Sequence, residues 1–304
     1  MKILLAVDGS HYSEAAIVLL KALGIGKKAD VTVLTVIPER IFLGGHGLVD
    51  LLGRSAVLKT QARKAEEESA LKLLYRLSKL FPSRELKVET LVRGGSPADE
   101  IIKTCRSIGA DLVVVGLKGS SDSPDFLLGS VAHKVVKHAP CSVLIVKKES
   151  KAINKVLVPC DGSKYSNEVV QFLLRMPLPR RTEILAMTVV QSFAAAFVKA
   201  YTLDLAYDQE VIAELQKAEE KAAQRLTIEA EGQFRKAGYK VSAIVARGDP
   251  SREILREAAE QNVDLIATGT RGLTGVRSFL LGSVAQRIAG YSEASVLIVR
   301  SPKL

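Results

Sequence analysis

Apolar and polar segments alternate along the chain in a way that predicts strands followed by helices. The apolar run KILLAV ends in Asp-Gly-Ser at positions 8–10, which is typical of a buried strand followed by a helix N-cap. The next segment, SEAAIVLLKAL, has the apolar period of a helix, and DVTVLTVI is a second strand. The alternation continues to a fifth strand, CSVLIVKK. Because the strand runs are apolar throughout, they predict a parallel sheet that is covered on both faces.

The whole pattern occurs twice. ILLAVDGSHYSEAA recurs as VLVPCDGSKYSNEV, with Asp8 and Asp161 separated by 153 positions. The same offset relates further pairs, namely Val36 and Val189, Asp111 and Asp264, Gly116 and Gly269, Gly129 and Gly282, and Val146 and Val299. A single-residue slip occurs where RGGSPADEI faces RGDPSREI. The sequence therefore predicts two homologous α/β domains, 1–149 and 154–304, each a doubly wound parallel sheet of five strands.

Composition narrows the function classes. The formal net charge of +10, with a pI near 9.4, permits an anionic partner. The basic residues are scattered and aromatic residues make up only 5% of the chain, which disfavours nucleic-acid binding. No apolar run is long enough to cross a bilayer, so we expect no membrane association. The three cysteines show neither a disulfide framework nor metal-site spacing, so we expect free thiols, a cytoplasmic protein and no structural metal.

Two loops that follow the predicted fourth strands have a spacing suited to phosphate. In GTRGLTGVRSFLLGS, Gly269 and Gly272 precede the pair Gly282 and Ser283, and GLKGSSDSPDFLLGS repeats this spacing in the first half. Glycine permits a close turn or a positive φ, and the N–H groups at the start of the next helix attract phosphate. In open parallel sheets, ligands bind at the carboxyl ends of strands, where the repeated aspartates also lie. The alternative is that the glycines only form a tight turn and that Ser283 only caps a helix.

No catalytic motif accompanies these loops. The chain has no GxxxxGK[ST] loop, no GxGxxG after the first strand and no GxSxG elbow. A single carboxylate in each half, Asp8 or Asp161, falls short of a general acid/base pair. We therefore expect a binding protein that is not an enzyme. Slow Mg²⁺-dependent ATP hydrolysis or phosphotransfer at either aspartate is the alternative.

The glycine spacing, the aspartate after the first strand and the final SVLIV strand resemble the universal stress protein family over essentially the whole chain. The pattern G-x2-G-x9-G-[ST] is the nucleotide signature of the ATP-binding members. The resemblance implies a Rossmann-like, adenine nucleotide alpha-hydrolase-like sandwich in each half, with ATP or AMP as ligand and Mg²⁺ as an optional companion. It implies a stress-response or regulatory role through nucleotide occupancy and protein contacts, and a ligand-free interaction module is the other alternative. It also implies an intrachain pseudo-dimer through the final strands, with a further homodimer left open.

The resemblance also implies which residues form each pocket. Adenine is expected between the ends of strands one and two, and the glycine loop is expected against the ribose and phosphates. In the first half the implied contacts are Ala6, Val7, Asp8, Val36, Gly116, Lys118, Gly119, Gly129, Ser130 and Val131. In the second half they are Pro159, Cys160, Asp161, Val189, Gly269, Arg271, Gly272, Gly282, Ser283 and Val284.

The two glycine loops differ in charge. The second contains Arg271 and Arg277, whereas the first contains Lys118 together with Asp122 and Asp125. Two carboxylates beside a triphosphate repel it unless a cation intervenes. We therefore predict that the second half binds nucleotide more tightly, and that the first binds weakly or prefers fewer phosphates.

Overall fold

The chain forms two compact units, one from each half of the sequence. The computed structural model describes residues 1–25, 29–38, 56–81, 87–119, 127–191, 209–272 and 281–300. The first unit comprises residues 1–21 and 25–149, and the second comprises residues 22–24 and 150–303.

The described part of the first unit alternates strands with helices. Its strands are β1 (Lys2–Ala6), β2 (Asp30–Pro38), β3 (Lys87–Gly95), β4 (Leu112–Gly116) and β5 (Ser142–Val146). Its helices are α1 (His11–Ala22), α2 (Ala56–Ser78), α3 (Pro97–Ile108) and α4 (Ser130–His138). Neighbouring strands pair in parallel, and their order is β3-β2-β1-β4-β5.

The second unit repeats this arrangement. Its strands are β6 (Lys155–Pro159), β7 (Glu183–Val190), β8 (Lys240–Arg247), β9 (Leu265–Gly269) and β10 (Ser295–Val299). Its helices are α5 (Lys164–Arg175), α6 (Gln209–Lys236), α7 (Pro250–Glu260) and α8 (Ser283–Tyr291). The strands are again parallel, in the order β8-β7-β6-β9-β10. Each of these elements begins 153 residues after its counterpart, which confirms the predicted tandem repeat.

The burial of the strands explains why their sequences are apolar without alternation. Successive side chains of a strand point to opposite faces, yet Leu112, Val113, Val114 and Val115 of β4 are all buried. Both faces of the sheet are therefore covered at this strand. The predicted α/β fold with a parallel sheet is confirmed. β3 has no buried residue, as expected for a strand at the edge of its unit.

The strand order places a topological switch point between β1 and β4, and between β6 and β9. From β1 the chain continues to β2 on one side, and it later returns to β4 on the other side. The diverging connections leave a crevice at the carboxyl ends of these two strands. Asp8 and Asp161 follow the inner strands β1 and β6, while the glycine loops follow β4 and β9. Among the described helices, none is both long and apolar enough to span a membrane.

Candidate functional site

The turn after β6 presents Asp161 at the crevice of the second unit. Its Oδ1 accepts a hydrogen bond from Ser163 N at 2.9 Å, and Ser163 Oγ caps α5 by accepting from Ser166 N at 3.2 Å. Gly162 has φ +77°, a left-handed conformation that favours glycine. A Cβ at this position would also lie 2.9 Å from Leu226 Cδ2. The Asp-Gly-Ser sequence therefore forms a tight turn that holds the Asp161 carboxylate half-buried at the strand end.

The equivalent turn in the first unit holds Asp8 with one further hydrogen bond from a side chain. Asp8 Oδ1 accepts hydrogen bonds from Ser10 N and from Ser13 Oγ, each at 3.0 Å. Asp8 N in turn donates to Ser13 Oγ at 3.1 Å. Gly9 has φ +81°, so the two units share the turn geometry and the hydrogen bond from the serine N, whereas the bond from the Ser13 hydroxyl occurs at Asp8. In this unit the carboxylate is exposed.

The first glycine of each loop serves close packing rather than a positive φ. A Cβ at Gly116 would lie 2.6 Å from Tyr12 Cβ, and a Cβ at Gly269 would lie 3.0 Å from Tyr165 Cβ. Neither glycine has a φ in the left-handed region. The sequence left a close turn or a positive φ open at Gly269, and the structure shows that its φ is not positive. The missing Cβ lets the first turn of α1 lie against the end of β4, and the first turn of α5 against the end of β9.

The second glycine brings the loop onto the aspartate. A Cβ at Gly272 would lie 2.6 Å from Asp161 Oδ2. This carboxylate oxygen therefore lies directly against the loop backbone, and a side chain at Gly272 would displace it. The ends of β6 and β9, which are far apart in sequence, are thus brought together at the crevice.

A backbone hydrogen bond closes the base of each loop. Gly282 N donates to Thr270 O at 2.8 Å in the second unit, and Gly129 N donates to Leu117 O at 2.9 Å in the first. These glycines are the N-caps of α8 and α4, and neither helix start has a side-chain cap. The N-cap is therefore Gly282 and not Ser283, which is the first, exposed residue of α8. A helix start without a side-chain cap, at the mouth of a loop, is suited to an anion.

Arg271 lies over an aromatic ring beside the loop. Its Nη1 donates to Tyr165 Oη at 3.2 Å, and its Cζ is 5.6 Å from the centre of that ring. Its Nε is buried and has no hydrogen-bond partner among the described residues. A buried cationic donor without an acceptor is costly, so the position is suited to an anionic ligand. The corresponding residue of the first unit, Lys118, is half-buried.

The expected adenine side of the second pocket lies at the ends of β6 and β7. Cys160 N donates to Met187 O at 2.7 Å, and Val189 is half-buried near the end of β7. Cys160 is itself buried, and burial followed by the charge of Asp161 raises the pKa of its thiol to about 12. Cys160 is therefore an uncharged, apolar contact at neutral pH. In the first unit Val7 occupies this position, and its N donates to Leu34 O at 2.9 Å.

The remaining predicted residues lie at the same edge of their own unit. Ala6 and Pro159 end β1 and β6, and Val36 is half-buried near the end of β2. Lys118 and Gly119 follow β4, and the first turns of α4 and α8 contain Ser130, Val131, Ser283 and Val284. Arg277, Asp122 and Asp125, on which part of the predicted charge difference depends, lie outside the described residues.

The sequence prediction omitted two kinds of residue that shape the site. Gly9 and Gly162 carry the positive φ of the turns, and Tyr12 and Tyr165 form the surfaces against the loop glycines. The signal that could have identified them is the repeat of Asp-Gly-Ser-x-Tyr-Ser in both halves. Within the described ranges, no three side chains of metal-binding type cluster together.

Known proteins with similar sequences match half of this chain. Over 147 residues the chain is 29% identical to universal stress protein YxiE of Bacillus subtilis, covering 48% of this chain and 99% of that protein. It is 34% identical over 151 residues to a putative universal stress protein of Staphylococcus epidermidis, covering 48% and 84% respectively. A universal stress protein of Methanocaldococcus jannaschii is 32% identical over 159 residues, covering 52% and 89%.

Solved structures that match the chain over its full length support the fold. A universal stress protein from Archaeoglobus fulgidus aligns with a TM-score of 0.59 at 22% identity, covering 98% of both chains. A putative universal stress protein from Pseudomonas aeruginosa aligns with a TM-score of 0.59 at 16% identity, covering 99% of this chain and 93% of that chain. The sequence model of the universal stress protein family matches twice, at residues 1–147 and 152–300. With a match in each half, the chain belongs to the universal stress protein family as a tandem of two such domains.

Proposed function

We propose that this tandem universal stress protein binds adenine nucleotides and acts as a regulatory or stress-response protein through nucleotide occupancy. The observation that carries the proposal is the contact of the Asp161 carboxylate with Gly272 at the switch point of the second unit. It combines a carboxylate for a nucleoside with a glycine loop for phosphates at the edge where open parallel sheets bind ligands.

The contacts available at this edge suit the three parts of ATP or AMP. The base would lie between the ends of β6 and β7, against Cys160 and Val189. The ribose would lie near Asp161, and the phosphates would meet the glycine loop, Arg271 and the uncapped start of α8. A Mg²⁺ ion that accompanied the phosphates would have the Asp161 carboxylate as its protein ligand.

We further propose that the second unit is the stronger ATP site. Arg271 has a buried Nε without a partner in the described part of the chain, so it has a donor to give to a phosphate oxygen. In the first loop, Lys118 stands at the equivalent position and is accompanied in sequence by Asp122 and Asp125. A guanidinium can bind phosphate with two parallel hydrogen bonds, whereas an ammonium acts as a point charge.

The repeat also supports a proposal about how the two domains of the chain pair. Two family domains in one chain fit an intrachain pseudo-dimer. The three cysteines are buried and form no disulfide in the described part of the chain, which fits the cytoplasmic location that we propose. Light scattering coupled to size-exclusion chromatography of the full chain would show whether a further homodimer forms.

Native mass spectrometry and calorimetry of the full chain test the proposed binding. We expect a co-purifying adenine nucleotide, or saturable ATP and AMP binding by the nucleotide-free protein, and weaker binding by Asp161→Ala. Asp8→Ala is the matched variant in the other unit, where a smaller effect on ATP is expected. Absence of bound nucleotide together with no thermal shift at millimolar ATP or AMP would favour a ligand-free interaction module.

We propose that no chemical step accompanies binding, since each crevice contributes one aspartate without a partner acid or base identified in the sequence. Phosphate release from ATP by the purified chain is the direct measurement, and the rate is expected to stay at the background of a protein-free control. Sustained turnover that Asp161→Ala abolishes would instead establish a Mg²⁺-dependent ATPase.

A further inference from the structure

Tyr165 lies where two elements that border the crevice of the second unit meet. It belongs to the first turn of α5, whose N-cap Ser163 accepts a hydrogen bond from Ser166 N at 3.2 Å. Gly269 ends β9, and a Cβ there would lie 3.0 Å from Tyr165 Cβ and 3.1 Å from Tyr165 O. The helix start and the strand end are therefore in direct contact, which fixes the position of the tyrosine beside the glycine loop.

Two cationic side chains approach the ring of this tyrosine. Arg271 Nη1 donates to Tyr165 Oη at 3.2 Å, and Arg271 Cζ lies 5.6 Å from the ring centre. Lys164 Nζ lies 5.2 Å from the same centre. Both distances are within the range of a cation–π contact. Two like charges beside one ring concentrate positive charge next to the loop, and this favours an anionic ligand.

The hydrogen bond to the tyrosine uses only one side of the planar guanidinium group. In an arginine, the Nε–H and one N–H of Nη2 point in parallel along the edge that does not include Nη1. The Nε of Arg271 is buried and has no hydrogen-bond partner in the described ranges of the chain. Anchoring of Nη1 therefore leaves the edge that can donate two parallel hydrogen bonds to the oxygens of a phosphate.

The first unit has the same tyrosine in a different setting. The ring of Tyr12 packs against the ring of His11, with centroids 3.8 Å apart and an angle of 39° between the planes. The position of Arg271 is occupied by Lys118. An ammonium is a compact charge with three rotating donors, so it has no planar edge for a neighbour to orient.

We propose that Tyr165 is a positioning residue, whose hydroxyl holds Arg271 so that the edge formed by Nε and Nη2 faces the phosphates of the bound nucleotide. The tyrosine acts through the arginine, and it thereby favours phosphate-bearing ligands over the nucleoside. An arginine without this anchor has more rotamers to lose when it binds phosphate, so its contribution to affinity is smaller. The inference rests on the proposed nucleotide function.

Calorimetry of the full chain with ATP and with adenosine tests the role of the hydroxyl. Tyr165→Phe keeps the ring and removes the acceptor. We expect this variant to bind ATP about fivefold more weakly, since one hydrogen bond that orients the guanidinium is lost, and to bind adenosine as the wild type does. Tyr12→Phe is the matched variant of the first unit, and a smaller change in the ratio of the two affinities is expected there. Tyr291→Phe, at a 62% exposed tyrosine at the far end of α8, is the control for loss of a hydroxyl outside the crevice.

A double-mutant cycle separates positioning from a structural role. Tyr165→Phe should have no further effect on ATP binding when it is combined with Arg271→Lys or Arg271→Ala, because no planar edge is left to orient. The first unit is the same in all of these proteins, so its contribution to binding cancels in the comparison. Urea unfolding of each variant measures any loss of stability separately.

The outcomes distinguish this inference from the proposed function. Equal ATP affinity of Tyr165→Phe and the wild type, together with weaker binding by Arg271→Ala, would overturn the inference and leave the proposed function intact. An undiminished effect of Tyr165→Phe in the Arg271→Ala background, or equal losses for ATP and adenosine, would also overturn it, because the tyrosine would then act independently of the arginine. Absence of ATP binding by the wild type would overturn the proposed function and the inference together.

Discussion

The two units place equivalent serines differently beside equivalent aspartates. In the first unit Ser13 Oγ donates to the Asp8 carboxylate at 3.0 Å. In the second unit the equivalent Ser166 Oγ donates instead to the carbonyl oxygen of Ser163 at 2.9 Å. An identical Asp-Gly-Ser-x-Tyr-Ser sequence therefore builds the same turn but leaves the carboxylate of the second unit free of that hydroxyl.

A second difference lies in how closely each helix approaches the strand end. The gap between strand and helix is tighter at Gly116 in the first unit than at Gly269 in the second. In the second unit, Arg271 also lies over Tyr165 and Gly272 lies against the Asp161 carboxylate. The comparison shows tighter packing of the strand end in the first unit, and contacts of Arg271 and Asp161 at the loop of the second unit. Substitutions at matched positions can separate these roles.

The largest effect is expected from a methyl group at the strand end of the first unit. Gly116→Ala would place a Cβ 2.6 Å from Tyr12 Cβ. We expect it to lower the free energy of unfolding by about 2 kcal/mol, because the overlap is with a helix that cannot easily move. Gly269→Ala, with its nearest contact at 3.0 Å, should cost about half as much.

Urea unfolding followed by far-UV circular dichroism measures this difference. Gly94→Ala is the matched control, since a Cβ there would meet no atom within 4 Å. Equal losses for Gly116→Ala and Gly94→Ala would show that close packing does not explain the glycine at 116.

Removal of the arginine should affect nucleotide binding rather than folding. We expect Arg271→Ala to weaken ATP binding by about tenfold, because a charge-assisted hydrogen bond contributes roughly 1.5–3 kcal/mol. AMP binding should weaken less, since fewer phosphate oxygens are available. Calorimetry of the full chain with Arg271→Ala, Arg271→Lys and Lys118→Ala provides the measurement. The assignment of the stronger site to the second unit fails if Lys118→Ala weakens ATP binding more than Arg271→Ala does.

Loss of the helix cap should be a smaller effect, confined to one unit. Ser163 Oγ accepts from Ser166 N, so Ser163→Ala should lower the free energy of unfolding by about 1 kcal/mol. Ser10, its counterpart, has a buried Oγ without a hydrogen-bond partner in the described part of the chain. Ser10→Ala should therefore be close to neutral. Thermal unfolding of both variants checks the contrast, and an equal loss of stability would contradict it.

The smallest effect at neutral pH is expected from Cys160→Val, which copies Val7 of the first unit. The folded protein raises the pKa of this thiol from 9.0 to about 12, so the contribution to stability is complete below about pH 9. It is lost as the pH rises towards 12, because the unfolded chain ionises first. Wild type and variant should thus have equal stability at pH 7 and diverge at high pH, with the wild type losing more. Urea unfolding at pH 7 and pH 10 tests this, and parallel losses would contradict the raised pKa.

Local patterns in the sequence were enough to predict the elements and their repetition. The apolar runs predicted as the first and fourth strands form β1 and β4, which pair with each other in parallel. Every described element of the second unit begins at the predicted offset from its counterpart. A strand that is buried on both faces can be recognised from a short apolar run, and a helix start can be recognised from Ser-Pro or Asp-Pro. The identity of the expected site residues came from the resemblance to the family, and their role in binding stays a prediction.

The structural role of each glycine could not be predicted from the local sequence. Gly116 and Gly269 allow a helix to approach, whereas Gly9 and Gly162 allow a left-handed turn. The absence of a Cβ permits both close packing and a positive φ. Only the neighbouring atoms in the structure show which of the two a given glycine provides. For this reason the sequence left both a close turn and a positive φ open at Gly269.

The sequence by itself determined a duplicated chain of buried parallel strands. Hydrophobic period and capping are properties of neighbouring positions, and the constant offset of the repeat can be counted along the chain. The tertiary structure alone decided which side chains meet. It placed Asp161 Oδ2 against Gly272 and Arg271 over Tyr165. These contacts join residues from separate strands and helices, and they depend on packing distances that a linear pattern does not contain.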